Sequence, residues 1–248
     1  GGGIAMNAGG RWGEMWNQVE CALDPDAEAA SSERDPRLVA WAGVSLPGLV
    51  NKAAALGLSG FEGLVGVPGH VGGGIAMNAG GRWGEMWNQV ECALVIDARG
   101  EFAELRRPEH AVGYRDGRLG AHVVAGAVLR LEPKSALEVQ ALTRAYLREK
   151  KDAQPLSERS AGCVFQNPPK DRSDGRSAGQ LLDAAGCKGM REGDALVSAK
   201  HANFLVNAGA ARSADVRALI ANMRRAVLDR FGVELVQEVK DWRRPEPG

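Results

Sequence analysis

The stretch "GLVGVPGHVGGGIAMNAGGRWGEMWNQVECALVIDARGEF", residues 63–102, decides how this chain is to be read. Nine glycines fall among the 22 residues from 60 to 81. That density is too high for a helix or strand interior, because glycine loses more backbone freedom on ordering than any other residue. It suits a backbone that something must approach closely, and successive small residues expose N–H groups to which phosphate oxygens can bond. The segment matches neither the dinucleotide fingerprint nor the Walker pattern, so a purely structural glycine turn stands beside the phosphate reading. Its continuation, 90–102, predicts two strands joined by a turn at 97–100.

Residues 72–94 also stand, without one change, at 1–23. Genuine repeat architectures diverge in sequence and need about three units to bury a shared core. Only the later copy has a context, since "GLVGVPGHV" leads into it and "VIDARGEF" extends it. The earlier copy runs into "DPDAEAASSERDPR", residues 24–37, which is polar and reads as linker. Residues 1–37 are therefore expected to be a displaced duplicate plus linker, with Trp12 and Trp16 packed poorly against the rest. The first residue is not Met, which suggests a fragment, a processed product or a faulty gene model.

Working outward, "LVAWAG" from Leu38 predicts a strand, and Ser45 caps a helix with Pro47 in its first turn and Gly57 as its stop. "HVVAGAVLRLEP" from His122 predicts another strand. Ser135 and Glu138 form a capping-box pattern for a helix to about Lys151, with Leu137, Ala141, Leu142 and Ala145 on its buried side. A short helix at 177–185, a strand in "NFLVN", a helix capped by Ser213 and a closing strand in "VELVQEV" complete the pattern. Hairpins and separated helices in this order argue α+β.

At 248 residues the chain is long enough for one or two domains. Lys+Arg and Asp+Glu balance at 31 each, so no field steers nucleic acid or an anionic membrane. No apolar run approaches the roughly 18 residues of a membrane span. Of four cysteines, Cys21 and Cys92 are one residue of the duplicate, leaving no disulfide framework and pointing to a reducing, cytoplasmic setting. No His/Cys cluster has metal-ligand spacing.

Several segments could carry chemistry, each with a plainer alternative. Cys163 in "SAGCVFQNP" is a reactive thiol or a small buried hydrophobe. Arg115 in "GYRDG" is a carboxylate clamp or a solvated turn residue. Glu238 lies on the polar face of the last strand or at a solvated edge, and His201 in "SAKHANFLVN" is a catalyst or a structural hydrogen-bonder.

Together "GLVGVPGHVGGGIAMNAGG", "GYRDG", "SAGCVFQNP", "SAGQLLDAAGCKGMREGDALVSAKHANFLVNAG" and "FGVELVQEVK" make the chain, from about Leu38 to Lys240, resemble the UDP-N-acetylenolpyruvoylglucosamine reductases. The resemblance implies the rear part of an FAD-binding lobe, 38–134, followed by a linking helix and a smaller α+β substrate-binding domain, 135–248. It implies that NADPH reduces FAD, which then reduces UDP-N-acetylglucosamine enolpyruvate for peptidoglycan synthesis. Arg115 and Glu238 are implied as holders of the charge that develops at the substrate carboxylate. Cys163 stands where the family usually has a serine proton donor; a thiol, with an ordinary pKa near ~8.5, is a stronger acid than a hydroxyl, so proton donation survives the exchange. Tyr114, Asn167 and His201 match substrate-binding positions. Gly69, Val71, Gly72, Gly73, Asn78, Ala79 and Gly80 match the cofactor-facing segment, in which His70 replaces a small hydroxylic residue.

The family places a further flavin-binding half-lobe ahead of the "LVAWAG" strand, where this chain has the duplicate. Weak or no FAD binding, and with it loss of activity, is expected on that account, and a non-catalytic module that recognises a UDP-sugar is the alternative.

Overall fold

The computed structural model describes residues 19–22, 37–107 and 109–241. Trp12 and Trp16, and the packing expected of them, lie outside the described residues. The chain divides into two compact units, Gly1–Arg148 and Glu149–Gly248.

The first unit is built on a five-stranded antiparallel sheet of β1 (Val19–Ala22), β2 (Arg37–Trp41), β6 (Val90–Ile96), β7 (Phe102–Arg106) and β8 (Val123–Arg130). The spatial order is β1-β2-β8-β6-β7. The hairpin read from 90–102 forms as β6 and β7. Its turn closes through Asp97, whose Oδ1 accepts from Arg99 N and Glu101 N. Those two bonds to a carboxylate hold Asp97 below the usual carboxylate range. Between β2 and β6 come α1 (Leu46–Ala55), β3 (Leu58–Ser59), α2 (Val71–Ala76), β4 (Gly80–Gly81) and β5 (Gly84–Glu85). Ser45 Oγ caps α1 by accepting from Gly48 N at 3.1 Å, and the helix buries Leu46, Leu49, Val50, Ala53 and Ala54. β3 pairs with β9 (Glu132–Pro133), and α3 (Ala136–Ala153) follows.

The structure corrects several expectations. Val19–Ala22, the described part of the duplicate, adds a strand that had not been expected, pairing with β2, Val19 opposite Ala40 and Ala22 opposite Arg37. The identical tetrapeptide at 90–93 lies in β6 and pairs with β8. An open strand edge accepts whatever extended backbone reaches it, so one sequence serves in two places.

The buried face of α3 also differs. Leu137 is 75% and Leu142 40% exposed, whereas Val139 and Thr143 are buried and Tyr146 and Leu147 pack on the first core. The stripe is i, i+4, i+7, i+8, one residue set round from the expected one. Trp83 decides it by stacking on the Tyr146 ring at 4.6 Å between centroids.

The second unit carries a four-stranded antiparallel sheet, β10-β13-β12-β11. In chain order its elements are β10 (Ser160–Cys163), α4 (Ala178–Ala184), β11 (Arg191–Glu192), β12 (Ala195–Val197), β13 (Phe204–Asn207) and α5 (Ser213–Phe231). Helix α5 buries Leu219, Ile220, Met223 and Val227 as its spacing predicts. Its cap is Arg212 rather than Ser213, because Asp215 reaches back to accept from Arg212 N at 2.9 Å. "VELVQEV" does not form a regular strand. It is an extended segment joined to the sheet side by one bridge, Phe165 to Gln237.

Candidate functional site

The glycine-rich segment enters beside α1: Gly69 O accepts from Leu46 N, Val71 N donates to Val44 O and Gly72 N donates to Ala42 O, all near 2.9 Å. It then turns through α2, so the glycines do not exclude a helix as expected. Their absent side chains let the helix lie close to its neighbours: a Cβ on Gly72 would come within 3.0 Å of the Ala42 Cβ, and one on Gly74 within 3.3 Å of Leu46. Gly69 and Gly73 differ, for a Cβ on either meets nothing within 4 Å. Both are exposed, so the backbone is bare at Gly69 and on the outer side of α2 at Gly73, with the exposed His70 side chain between them in the chain. Val71, by contrast, has its side chain fully in the core.

Asn78 follows in the left-handed region at φ 42°, where asparagine is among the most tolerant non-glycine residues. It is 1% exposed. Its Nδ2 donates to Glu85 Oε2 at 2.8 Å and Gly113 O at 3.0 Å, and its Oδ1 accepts from Trp87 N at 3.2 Å. Ala79 N donates to Gly74 O. Gly80 pairs with Glu85 across the β4–β5 hairpin.

The turn "GYRDG" sits directly on this segment. Gly113 and Asp116 exchange backbone bonds, Gly117 N donates to Ala76 O at 2.9 Å, and His110 Nε2 lies 2.7 Å from Gly117 O. A Cβ on Gly117 would stand 2.2 Å from Ile75 O, so only glycine fits there. Arg115 is at φ 56°, a conformation that costs a non-glycine residue roughly 1–2 kcal/mol. Its guanidinium lies 4.9 Å from the ring centre of Tyr114, and Tyr114 is 46% exposed. The structure thus brings Arg115, Tyr114 and the glycine-rich segment together.

In the second unit, Cys163 ends β10 opposite Phe204. The next residues are held on both sides. Glu238 N donates to Val164 O at 2.7 Å and Gln166 N to Val236 O at 2.9 Å, so Cys163 and Glu238 lie on adjoining segments. On the other side Asn203, 2% exposed, accepts from Phe165 N at 2.9 Å and donates to Phe165 O at 2.8 Å. Sequence reasoning missed Asn203; its signal was a lone amide inside the apolar run "HANFLV". It missed His110 and Glu85 as well, which no local pattern marks. Asn167 Oδ1 accepts from Ala178 N at 3.0 Å and so holds the start of α4.

His201 packs edge-on to Phe204, 4.9 Å between centroids. Its Nδ1 accepts from Asn203 N at 3.2 Å, which leaves the proton on Nε2. Burial pulls its pKa below the ordinary histidine value, so the imidazole is neutral at neutral pH. Gly179 makes room for it, since a Cβ there would come within 2.9 Å of the ring.

Cys92 and Cys187 are free and buried, and Cys163 is the third cysteine whose side chain is described. Burial, reinforced by Glu104, pushes the Cys92 thiol up to about 11, and burial also raises Cys187; Cys163 alone of the three is partly exposed. Among the described residues no group of three or more His, Cys, Asp or Glu could hold a metal ion, and no helix is long and apolar enough to cross a membrane.

The family model described as an FAD binding domain matches residues 29–106, and the one described as UDP-N-acetylenolpyruvoylglucosamine reductase, C-terminal domain, matches 154–242. A relative from Alkalilimnicola ehrlichii named UDP-N-acetylenolpyruvoylglucosamine reductase is 44% identical over 202 residues, covering 81% of this chain and 66% of its own length. One from Symbiobacterium thermophilum is 43% identical, covering 81% and 64%. The chain therefore spans just under two thirds of the length of these curated relatives. The solved structure of the reductase from Thermus caldophilus is 40% identical, with a TM-score of 0.72 over 83% of this chain and 72% of that one.

Proposed function

The chain belongs to the UDP-N-acetylenolpyruvoylglucosamine reductase family, and from that premise we propose that it is an FAD-dependent oxidoreductase of peptidoglycan synthesis. Its substrate in this reading is UDP-N-acetylglucosamine enolpyruvate, its product UDP-N-acetylmuramate and its reductant NADPH. The free, buried thiols of Cys92 and Cys187 support a reducing cytoplasm as its setting.

The observation that carries the proposal is the attachment of the Arg115 turn to the glycine-rich segment through Asn78 and Ala76. It joins the turn that carries Arg115 to the end of α2, the helix in which Gly73 is bare. Gly69 and Gly73 leave open backbone, which fits a flat, pyrophosphate-bearing group. The amides of Val71 and Gly72 are already bonded to Val44 and Ala42, and the side chain of Asn78 is committed internally. The amides of Asn78 and Ala79 are likewise bonded, to Ile75 O and Gly74 O, so contacts from this segment would come from the outer side of Gly69, His70 and Gly73.

FAD, when bound, supplies to the enolpyruvyl methylene carbon the hydride drawn from NADPH. As that carbon gains its hydrogen, the electron pair of the double bond moves toward the substrate carboxylate. Arg115 meets the growing charge with its forked N–H groups, and Glu238 adds an acidic hydrogen-bond partner. Cys163 Sγ–H gives a proton to the carbon next to the carboxylate, which completes the addition of two hydrogens. Asn167, Tyr114 and His201 bind the substrate in this reading, His201 as a neutral Nε2–H donor.

Incubation of the purified chain with FAD, NADPH and the enolpyruvyl nucleotide tests the proposal. Substrate-dependent NADPH oxidation with a product two hydrogens heavier is expected. Binding of the nucleotide without flavin, and with no NADPH oxidation, would instead establish the non-catalytic UDP-sugar module.

A further inference from the structure

Three hydrogen bonds to groups outside it anchor the two ends of the Arg115 turn. Asn78 Nδ2 donates to Gly113 O at its near end, Gly117 N donates to Ala76 O at its far end, and Gly117 O meets His110 Nε2 at 2.7 Å. The first two anchors belong to the glycine-rich segment. The third is made by a side chain to which no role has yet been given.

A carbonyl oxygen can only accept, so His110 Nε2 carries the proton and donates. The imidazole is itself fixed. Its ring lies against Trp87 with 5.0 Å between centroids, and Trp87 Nε1 donates to Ile75 O at 2.9 Å. The backbone of His110 is tied down as well: its N–H donates to Arg106 O and its carbonyl accepts from Arg107 Nη1, both at 2.9 Å. The chain of contacts runs from Ile75 through Trp87 and His110 to Gly117 and returns to Ala76, closing a ring around the end of α2.

Arg115 needs that ring because of its backbone. At φ 56° it occupies a region non-glycine residues leave when they can. The reciprocal Gly113–Asp116 bonds close the turn but do not fix its orientation on α2. With Gly117 O released, the far end keeps the Gly117 N–H bond to Ala76 O but loses its tie to His110, which gives the turn more room to shift and relax Arg115.

We propose that His110 is a positioning residue for Arg115: by holding Gly117 O it keeps the guanidinium in the geometry that receives the substrate carboxylate. The role rests on the reductase reading for its meaning in catalysis, but the mechanical part stands on the contacts alone.

Two variants separate the hydrogen bond from the ring stack. His110→Phe keeps a ring against Trp87 and removes the donor; His110→Gln keeps a donor of similar reach and removes the ring. Amide hydrogen exchange on the purified chain, without cofactor, reads the turn directly. In His110→Phe the amides of Gly113, Asp116 and Gly117 should exchange about five- to tenfold faster, the factor one hydrogen bond is ordinarily worth, and His110→Gln should restore them. Wild-type exchange in the Phe variant, or a Gln variant no slower than Phe, overturns the proposal. If the Phe variant does not fold, His110→Asn, too short to reach Gly117 O, carries the same expectation. In the flavin-loaded protein the Phe variant should reduce FAD with NADPH at the wild-type rate and turn over the enolpyruvyl substrate at least tenfold more slowly, with Gln recovering most of the loss. Equal loss in both half-reactions overturns the positioning role. Absence of turnover in the wild type would overturn the reductase reading and leave the exchange measurement to decide the clamp.

Discussion

At the scale of single residues, Cys163 is the most direct test of the proposed chemistry. A thiol and a hydroxyl can both donate a proton from nearly the same place, whereas a methyl group cannot. Cys163→Ser should therefore keep the reductase turnover within about tenfold, and Cys163→Ala should lose roughly 10²–10⁴ of it, the usual worth of a positioned general acid. Steady-state turnover per bound flavin is the measurement, and an Ala variant as active as Ser would remove Cys163 from the mechanism. His201 gives a prediction in pH. Burial places its folded pKa below the ordinary 6.5, so as pH falls the unfolded chain takes up this proton first and unfolding becomes easier. The stability is whole above about 6.5 and declines from there down to the folded value. Thermal unfolding followed from about pH 7.5 to 5.5 should show that decline, with a shallower slope in His201→Gln.

Elements show where residue type alone misleads. Gly73 lies in α2 with open space beside it, so Gly73→Ala should raise the stability of the flavin-free protein by roughly 0.5–1 kcal/mol through helix propensity. If the outer side of α2 faces flavin, the same methyl should weaken FAD binding. Unfolding and flavin titration of one variant thus read opposite signs, and unchanged FAD affinity would place the cofactor elsewhere. Helix α3 supplies a second case. Val139→Ala removes two buried methyl groups and should cost about 1.5 kcal/mol, whereas Leu137→Glu on the exposed side should stay within about 0.5 kcal/mol. Denaturant melts of the two variants check the assignment, and the reverse order would restore the face expected from the sequence.

At the scale of the whole molecule, the equal totals of acidic and basic residues leave a formal net charge of +0. A chain without net charge lacks the mutual repulsion that keeps molecules apart, so solubility should pass through a minimum near neutral pH and rise on either side. Precipitation curves against pH check this, and a monotonic curve would speak against it. The two units have separate cores, one centred on residues such as Leu38, Ile75, Trp87 and Leu129, the other on Phe165, Leu182, Met223 and Val227. Most of these stood out beforehand as apolar positions in strands and helices. Their membership of one core or the other did not, because periodicity shows that a face is buried and not what it is buried against.

By itself the amino-acid sequence determined what depends on near neighbours: the hairpin at 90–102, the cap at Ser45, the apolar face of α5 and the motif order that marks the family. Tertiary structure alone decided the rest. The VECA tetrapeptide occurs twice and pairs with β2 in one place and β8 in the other. Gly72 and Gly74 of α2 lie where a side chain would crowd Ala42 and Leu46, and the Arg115 turn is held by Asn78 and His110. In each case the deciding partner comes from another part of the chain. Local energies set what a segment can be, and the contacts of the folded chain select which of those it becomes.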